Sequence, residues 1–526
     1  MAISLRDNLL AALSRLPGTR EFHIHVLVSS PRKNATLFPF AIPRPRAYLQ
    51  DILILLSEQA TPDSPRILVT AIEACVYNVA ATSCAILYVS KVDSTGQGAV
   101  PSPTSTVVRS LLAFYANPAT RPVAADHLWI HLFARAQAQY LFPNSSEHPG
   151  KHPLSDIKLC AWWRRVLTDV AGELDTQVRP GLKVELYYIL PGYSEFEAAY
   201  ALKNVSASAI TTPSWRYGHP YSQTDIPLPC PPEHSSGLKN LGHFIPSFDD
   251  DPKSRFMDEI AYTTDGDGVK SPARKRSRTM SHGEGSHSKD KEAVVEKETQ
   301  NGPLGELARV SADEFWERMS FRQECVAGAV TGFFTLGISS LLNNTDSPHS
   351  TVSPLAPQPG QVSSQINKRV LTSLTSNVEF SNVERSIRAT EILESAIKGL
   401  CEGIAPIPTL NTHAPRALVN PRDFDRRTPE PETSSSQTFL APPRTPPPRL
   451  AHGKRIIPDI SPNPFPEPVT SLETYNSHIY GSICVSNPVT AATVGSQNMV
   501  AKQEDTVTEA SHVTVLAVRK KKKRTE

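Results

Sequence analysis

The chain has 526 residues and carries 54 Lys and Arg side chains against 52 Asp and Glu side chains, so its net charge is only +2. A balance this close excludes a uniformly basic nucleic-acid binder and a strongly acidic protein, so any role that depends on charge must be local. All five Trp residues lie before residue 317, whereas the last third is rich in Pro, Ser and Thr. This distribution predicts a fold in the front two-thirds and a tail that buries little.

The first residues have the spacing of an amphipathic helix that ends near Pro17 and Gly18. Arg6 and Asp7 interrupt the apolar run that a secretory signal would need, so we expect no such signal. The apolar face of the predicted helix is formed by leucines three or four residues apart: Leu5, Leu9, Leu13 and Leu16.

Cysteines and histidines do not form a metal-binding pattern. The seven cysteines are scattered and contain no CxxC pair, which indicates neither a zinc site nor a disulfide framework and fits a reduced intracellular compartment. His23 and His25 share one strand face but lack a third ligand nearby, so they are interpreted as core or surface histidines rather than metal ligands.

Strand and helix signals are mixed, without a βαβαβ alternation, up to about residue 265. Apolar, β-branched runs predict strands at residues 23–28, 67–79, 85–89 and 183–190, the middle two as neighbours in a buried sheet. One helix is predicted after Pro103, and another begins at Ser155, a good N-cap. These elements indicate a mixed α/β domain.

The chain changes character after residue 265. Residues 266–301 lose their apolar side chains and predict a disordered insertion, after which Ser311 and Glu314 have capping-box spacing at the start of a helix that packs back on the domain. The uncharged run at 326–342 predicts a buried helix that closes the core, with a transmembrane helix as the alternative. We therefore expect a domain at 1–340 and a disordered tail at 341–526, with one short amphipathic helix at 383–400 and a basic C-terminal motif at 513–524.

Three segments have residues suited to chemistry. The acidic triplet Asp249 to Asp251 fits a general base or an anchor for a cationic substrate, or alternatively a solvated turn before a helix. The loop after the strand at 85–89 can hold an anion at the next helix N-terminus, or simply connect the two elements. Residues 133–152 place aromatic side chains beside a loop with two cations, which suits a phosphate-bearing cofactor with an apolar arm, or a surface loop. Because adjacent helix positions diverge by about 100°, Trp162 and Trp163 cannot both face one core.

Several of these segments, taken in order, resemble the fungal histone H3 lysine acetyltransferase family named as a regulator of Ty transposition, a structural relative of the CREB-binding-protein acetyltransferases. The matching segments are residues 88–93, 139–146, 151–152, 162–163, 190–192, 248–256 and 314–324. The resemblance spans residues 20–335 and implies an α/β fold, with a central mixed sheet surrounded by helices and acetyl-CoA in a cleft. The insertion at 266–301 and the Pro-rich tail depart from the family pattern.

The resemblance also implies roles for individual residues. Asp250 and Asp251 match the essential acidic pair, Asp93 a further functional carboxylate, and Trp163 the residue that faces the substrate lysine. Lys253 matches the lysine that the family acetylates on itself. Cofactor contacts are implied for Val92, Ser94, Pro101, Ser102, Pro103, Phe133, Arg135, Gln137, Tyr140, Lys151, His152, Pro153, Leu154 and Trp162.

By resemblance, the chain would be a nuclear enzyme that acetylates histone H3 within H3–H4, at a core lysine near the DNA entry point and secondarily at tail lysines. Histone chaperones would present the substrate, in chromatin assembly and the DNA damage response. Basic clusters that run from Arg274 to Arg278 and from Arg519 to Arg524 predict contacts with the nuclear import machinery. The alternatives are a catalytically weak chromatin scaffold that acts through its basic tail and a membrane-anchored protein.

Overall fold

The computed structural model describes residues 4–177, 181–205, 214–232, 240–262, 305–322, 325, 330–340, 353–402 and 472–488. Within these ranges, ten strands form one sheet: β1 (Gly18–Val28), β2 (Arg32–Asn34), β3 (Ala47–Gln59), β4 (Ile67–Val79), β5 (Cys84–Ser94), β6 (His127–Ala134), β7 (Leu182–Ile189), β8 (Trp215–Tyr217), β9 (Gly332–Ser340) and β10 (Tyr480–Asn487). The main helices are α1 (Leu5–Leu13), α2 (Thr104–Ala116), α3 (Asp156–Gln177), α4 (Glu195–Asn204), α5 (Pro252–Tyr262), α6 (Ala312–Met319), α7 (Ser364–Ser376) and α8 (Val383–Cys401).

The sheet is mixed. Its strand order is β10-β1-β3-β4-β5-β6-β9-β7-β8, with β2 paired to β3. The β5–β6 and β7–β8 pairs are parallel, and the other pairs are antiparallel. The predicted mixed α/β architecture is therefore confirmed.

Helices cover both faces of the sheet. Alternate strand residues such as Ile72, Ala74 and Val76 pack with α1 to α4 in the largest core cluster. Their neighbours point to the other face, where Ala71 packs against α8 and Phe333 packs against α5 and α6. The period of two in the strands thus divides the interior into two layers.

Within the apolar run at 326–342, the described residues 330–340 are not helical. Residues 332–340 form β9, which lies between β6 and β7 as the third strand from the β8 end of the sheet. Strands buried on both faces are apolar at consecutive positions, so periodicity could not separate this strand from a buried helix. Among the described residues, no helix has the length and apolar character needed to cross a membrane.

The expected domain edge at residue 340 is too early. Helices α7 and α8 pack on the sheet, where Phe380 and Ile397 are fully buried, and β10 pairs with β1. The amphipathic helix predicted at 383–400 is confirmed as α8. The predicted insertion at 266–301 and most of the remaining tail lie outside the described residues.

Candidate functional site

A β-bulge in β5 sets the direction of the side chains near its end. Glu73 pairs with Lys91 and Ala74 pairs with Val89, so Ser90 is an extra residue on β5. Leu87, Val89 and Val92 consequently share the face of α1 to α4. The bulge turns Lys91 and Asp93 toward the opposite face, which carries the acidic turn before α5.

Asp93 joins two loops of the predicted cofactor site. Its Oδ2 accepts hydrogen bonds from the backbone N–H groups of Tyr140, Leu141 and Phe142 at 2.7, 2.8 and 3.1 Å. Its Oδ1 lies 2.9 Å from the Nζ of Lys151 and accepts the N–H of Ser94. A carboxylate with this many partners holds the loops in place and has little capacity left for a substrate proton.

The same two loops touch through glycines. A Cβ atom at Gly96, whose φ is +74°, would lie 2.5 Å from the Cα of Lys151, and one at Gly150 would lie 2.5 Å from the Gly96 carbonyl oxygen. Only residues without side chains permit this approach. The loop after β5 and the segment around Lys151 are therefore in direct contact.

The predicted cofactor residues lie on several packing clusters: Trp162 packs with α1 to α4, Tyr140 packs on the cluster of α8, and Phe133 packs on the cluster of α5 and α6. Their exposure to solvent differs. The half-buried ones are Val92, Ser94, Pro101, Phe133, Arg135, Tyr140 and Trp162, and the one buried is Pro103. The exposed ones are Ser102, Gln137, His152, Pro153 and Leu154. The Lys151 ammonium points inward to Asp93 and to the Ser145 hydroxyl, 2.6 Å away, so it is not a free cation for phosphate. Burial and the Asp93 carboxylate raise the pKa of Tyr140 to about 12, which keeps its hydroxyl protonated.

A second cluster surrounds Asp251 at the start of α5. The Asp251 side chain is fully buried; its Oδ1 accepts the N–H of Lys253 and its Oδ2 lies 2.9 Å from the Lys253 Nζ. That Nζ also lies 4.8, 5.9 and 6.0 Å from the ring centroids of Phe333, Trp316 and Phe248. The ammonium is therefore held by one carboxylate inside an aromatic cage.

The surroundings of this pair suppress other charges. Burial, together with the nearby Lys253 ammonium, holds the pKa of His131 well below its usual range, so this histidine is neutral. Burial also raises the pKa of Tyr221, and the Asp251 carboxylate adds to that rise. The Asp251–Lys253 pair is thus the charged centre of an otherwise neutral cluster.

Asp249 and Asp250 lie on the surface beside this buried pair. Both are exposed, and the Asp250 carboxylate accepts a hydrogen bond from the Lys91 Nζ at 2.6 Å. The predicted acidic triplet is consequently divided into one buried and two exposed carboxylates. Asp251 accepts the N–H of Lys253 at the start of α5, which agrees with the interpretation as a turn before a helix, whereas the role as a general base or an anchor for a cationic substrate stays a prediction.

Trp163 packs away from Asp251. It is buried in the cluster formed with α1 to α4, and its ring meets that of Trp162 edge-on at 4.7 Å. The half-buried Trp162 packs on the same cluster, so the expectation that the two rings need different environments is wrong. The tryptophan beside Lys253 is Trp316, which the sequence analysis used only as a helix residue.

The histidine pair on β1 has protein partners. The Nδ1 of His23 lies 2.9 Å from the Tyr480 hydroxyl, and the Nε2 of His25 lies 2.9 Å from the Tyr475 hydroxyl. These contacts fit the interpretation of both residues as core histidines, and they attach the segment at 475–480 to β1. Within the described ranges, no cluster of three candidate metal ligands occurs.

Comparison with known proteins places these features in a family context. The model of the histone acetyltransferase KAT11-type domain matches residues 121–396. A histone acetyltransferase rtt109 from Aspergillus flavus is 32% identical over 306 residues, which cover 53% of this chain and 46% of that protein. A histone acetyltransferase rtt109 from Schizosaccharomyces pombe is 25% identical over 261 residues, or 48% of this chain and 52% of that protein. The chain thus spans about half the length of the curated relatives it matches.

A solved structure has the same fold. The crystal structure of Rtt109 from Aspergillus fumigatus matches with a TM-score of 0.54 and 24% identity, over 74% of this chain and 96% of the other. The family match ends at residue 396, inside α8. It therefore agrees with the finding that the domain continues beyond residue 340.

Proposed function

We propose that this chain, which belongs to the KAT11-type histone acetyltransferase family, transfers an acetyl group from acetyl-CoA to lysine side chains of histone H3. The observation that carries this proposal is the family match over residues 121–396, which contains the buried Asp251–Lys253 pair. The adjoining surface of Asp249 and Asp250 suits a cationic lysine as substrate.

Three features of the predicted cofactor residues support the proposal that they bind acetyl-CoA. Helix α2 begins after Pro103 without a side-chain cap, so its first backbone N–H groups can receive a phosphate. The half-buried rings of Phe133, Tyr140 and Trp162 offer apolar surface for the pantetheine arm. His152 is the exposed residue of the loop that can contact a phosphate, since Lys151 is engaged by Asp93. Bound acetyl-CoA would supply the thioester that carries the acetyl group.

We propose direct transfer to the substrate amine. The amine loses a proton, its nitrogen forms the amide bond with the acetyl carbon, and the thioester C–S bond breaks as CoA leaves as a thiol. An intermediate on Cys84, Cys160, Cys230 or Cys401 is disfavoured because burial raises the pKa of each of these thiols to about 12, which leaves negligible thiolate at neutral pH.

Lys253 is the proposed site of self-acetylation. An acetyl group would remove the ammonium charge beside Asp251 and convert the ion pair into a neutral amide next to a buried carboxylate. The buried indole N–H of Trp316 has no acceptor within the described part of the chain and is available to an acetyl oxygen. Modification at Lys253 would therefore change the electrostatics of the whole cluster.

The proposal extends to the cellular setting. We place the protein in the nucleus, with H3–H4 as the substrate complex and histone chaperones as the proteins that present it, in chromatin assembly and the DNA damage response. The core lysine near the DNA entry point is the expected target, with tail lysines secondary. The import machinery would bind the basic clusters at 274–278 and 519–524, both outside the described residues.

The test is acetyl transfer by the purified full chain. The chain is incubated with acetyl-CoA and H3–H4, with and without a histone chaperone, and acetylated lysines are mapped by mass spectrometry. We expect acetyl-H3 that increases with chaperone, and acetylation of Lys253 in the chain itself. Absence of acetyl-H3 under both conditions, with H3–H4 retained on the chain in a pull-down, would instead support the scaffold function.

A further inference from the structure

Lys91 contacts the acidic turn but belongs to none of the predicted roles. Its ammonium lies 2.6 Å from the Asp250 Oδ2 and 2.8 Å from the Glu73 Oε2. Burial opposes the charge of Lys91, but the attraction of Glu73 and the hydrogen bond to Asp250 outweigh burial and raise its pKa. One permanent cation is therefore shared by two carboxylates at the edge of the candidate site.

The turn that carries Asp251 is attached to β5 at successive positions. Phe248 stacks on Tyr88 at 4.0 Å between ring centroids with an angle of 6° between the planes. Two residues further along each segment, the Ser90 hydroxyl lies 3.4 Å from the Asp250 Oδ2, and Lys91 makes the short contact to the same oxygen. The stack fixes the start of the turn, and Lys91 fixes the residue directly before Asp251.

The bulge explains why Lys91 reaches Asp250. In an uninterrupted strand Lys91 would share the face of Leu87 and Val89, which pack in the core with α1 to α4. The extra residue Ser90 reverses this alternation, so Ser90 and Lys91 both reach the acidic turn. Bulges beside active sites commonly redirect a side chain in this way.

We propose that Lys91 is a positioning residue for acetyl transfer: it holds the Asp250 carboxylate, and with it the turn that carries Asp251, against β5. This role rests on the proposed function, but the positioning itself does not require catalysis. Without Lys91, Asp250 loses its cation and faces Glu73 and Asp249 with uncompensated negative charge. The turn then opens from β5 more often, and in each opening the carboxylates lose their fixed relation to the aromatic cage.

The first measurement tests whether Lys91 holds the acidic turn in place, and it does not depend on acetyl transfer. Hydrogen exchange of backbone amides at residues 248–254 is compared between the wild type and Lys91→Met, which keeps the aliphatic part of the side chain. We expect faster exchange in Lys91→Met and near-wild-type exchange in Lys91→Arg. Unchanged exchange in Lys91→Met would overturn the proposal, whether or not the chain acetylates histones.

The matched control is Lys183→Met. Lys183 on β7 also lies between two carboxylates, 2.7 Å from Asp225 and 3.8 Å from Glu185, and its side chain is 30% exposed against 28% for Lys91. It makes no contact with the acidic turn among the described residues. An equal increase in exchange at 248–254 in Lys183→Met would show a general loss of stability and would contradict a specific role.

The second measurement is a kinetic double-mutant cycle with Asp250→Asn. We expect Lys91→Met to lower kcat for H3 about tenfold, with the KM for acetyl-CoA changed by less than about twofold. The double variant should be no slower than the slower single variant, because both changes break the same contact. Multiplicative losses would show that Lys91 acts independently of Asp250. A wild type without any acetyl transfer refutes the proposed function, whereas the exchange comparison still decides the positioning role.

Discussion

Asp93 and Asp251 are both buried aspartates, but their partners give them different tasks. Asp93 accepts three consecutive backbone N–H groups from residues 140–142 and pairs with Lys151, so it organises loops. Asp251 pairs with a single ammonium within an aromatic cage. The resemblance implies a functional role for both, because a carboxylate in a sequence motif does not reveal its hydrogen-bond partners. Of the two, only Asp251 has an environment suited to a charge-dependent role.

The first prediction concerns the Asp251–Lys253 pair. Breaking a buried ion pair leaves an uncompensated charge, so we expect Asp251→Asn to lower the free energy of unfolding by about 3–5 kcal/mol. The double variant Asp251→Asn with Lys253→Met should recover part of this loss, because it removes both charges. Chemical denaturation followed by tryptophan fluorescence measures these differences.

Asp250→Asn is the control for this prediction. Asp250 is 55% exposed and its pair with Lys91 is of the surface type, so its loss should cost about 0–1 kcal/mol. Equal costs for Asp250→Asn and Asp251→Asn would contradict the assignment of Asp251 as the buried partner. Acetyl transfer by the variants then separates a stability effect from a catalytic one.

At the scale of elements, the strands rich in β-branched residues and the helices with apolar residues at 3–4 spacing were predictable from sequence. β9 and the elements that depend on distant partners were not. β4 and β5 alternate between two cores, and α3 places Trp163, Val166 and Val170 on one face. β9 is also buried on both faces, but its sequence contains two glycines and only two β-branched residues, so it was predicted as part of a buried helix. The contacts of Lys91 depend on a bulge, and nothing in the composition of β5 marks Ser90 as an extra residue.

The connector between α7 and α8 reaches the predicted cofactor loops. Phe380 is fully buried, its ring lies 4.7 Å from that of Phe142, and its N–H donates to the Pro143 carbonyl. Gln97, in the loop after β5, donates to the Phe380 carbonyl at 3.1 Å. Segments expected to be tail therefore support the loops that are proposed to bind acetyl-CoA.

The second prediction tests this support. Phe380→Ala removes a fully buried ring, and we expect it to lower the free energy of unfolding by about 3–5 kcal/mol. Ile392→Ala, on the exposed face of α8 and 55% exposed, is the control and should stay within about 0.5 kcal/mol of the wild type. Similar values for the two variants in chemical denaturation would show that the contact between the connector and the cofactor loops adds little.

At the scale of the whole molecule, the near-neutral net charge is the sum of separate acidic and basic segments. The acidic turn lies beside the caged Lys253, whereas the basic clusters at 274–278 and 519–524 lie outside the described residues. The sheet also joins distant parts of the chain, because β10 covers the edge of β1. The division of charge could be read from the sequence, whereas the pairing of β1 with β10 follows from long-range arrangement and could not.

The third prediction concerns that edge. A chain that ends at residue 402 lacks Tyr475, Tyr480 and β10, and so leaves the backbone groups of β1 and the side chains of His23 and His25 without these partners. Unpaired strand edges recruit other strands, so we expect this chain to self-associate. Light scattering measures the molar mass, and a chain that ends at residue 488 is the control because it keeps the strand. A monomeric 402-residue chain would refute the prediction.

The pairing of β1 with β10 also sets the order of events during protein synthesis. His25 and Tyr475 are separated by 450 residues along the chain. The first strand to leave the ribosome therefore pairs with the last described strand. Contacts of such separation form late, because a long loop must close before the pairing stabilises it. The nascent chain therefore has an unpaired sheet edge during most of translation. We expect chaperones that bind extended segments to bind this edge until β10 is synthesised.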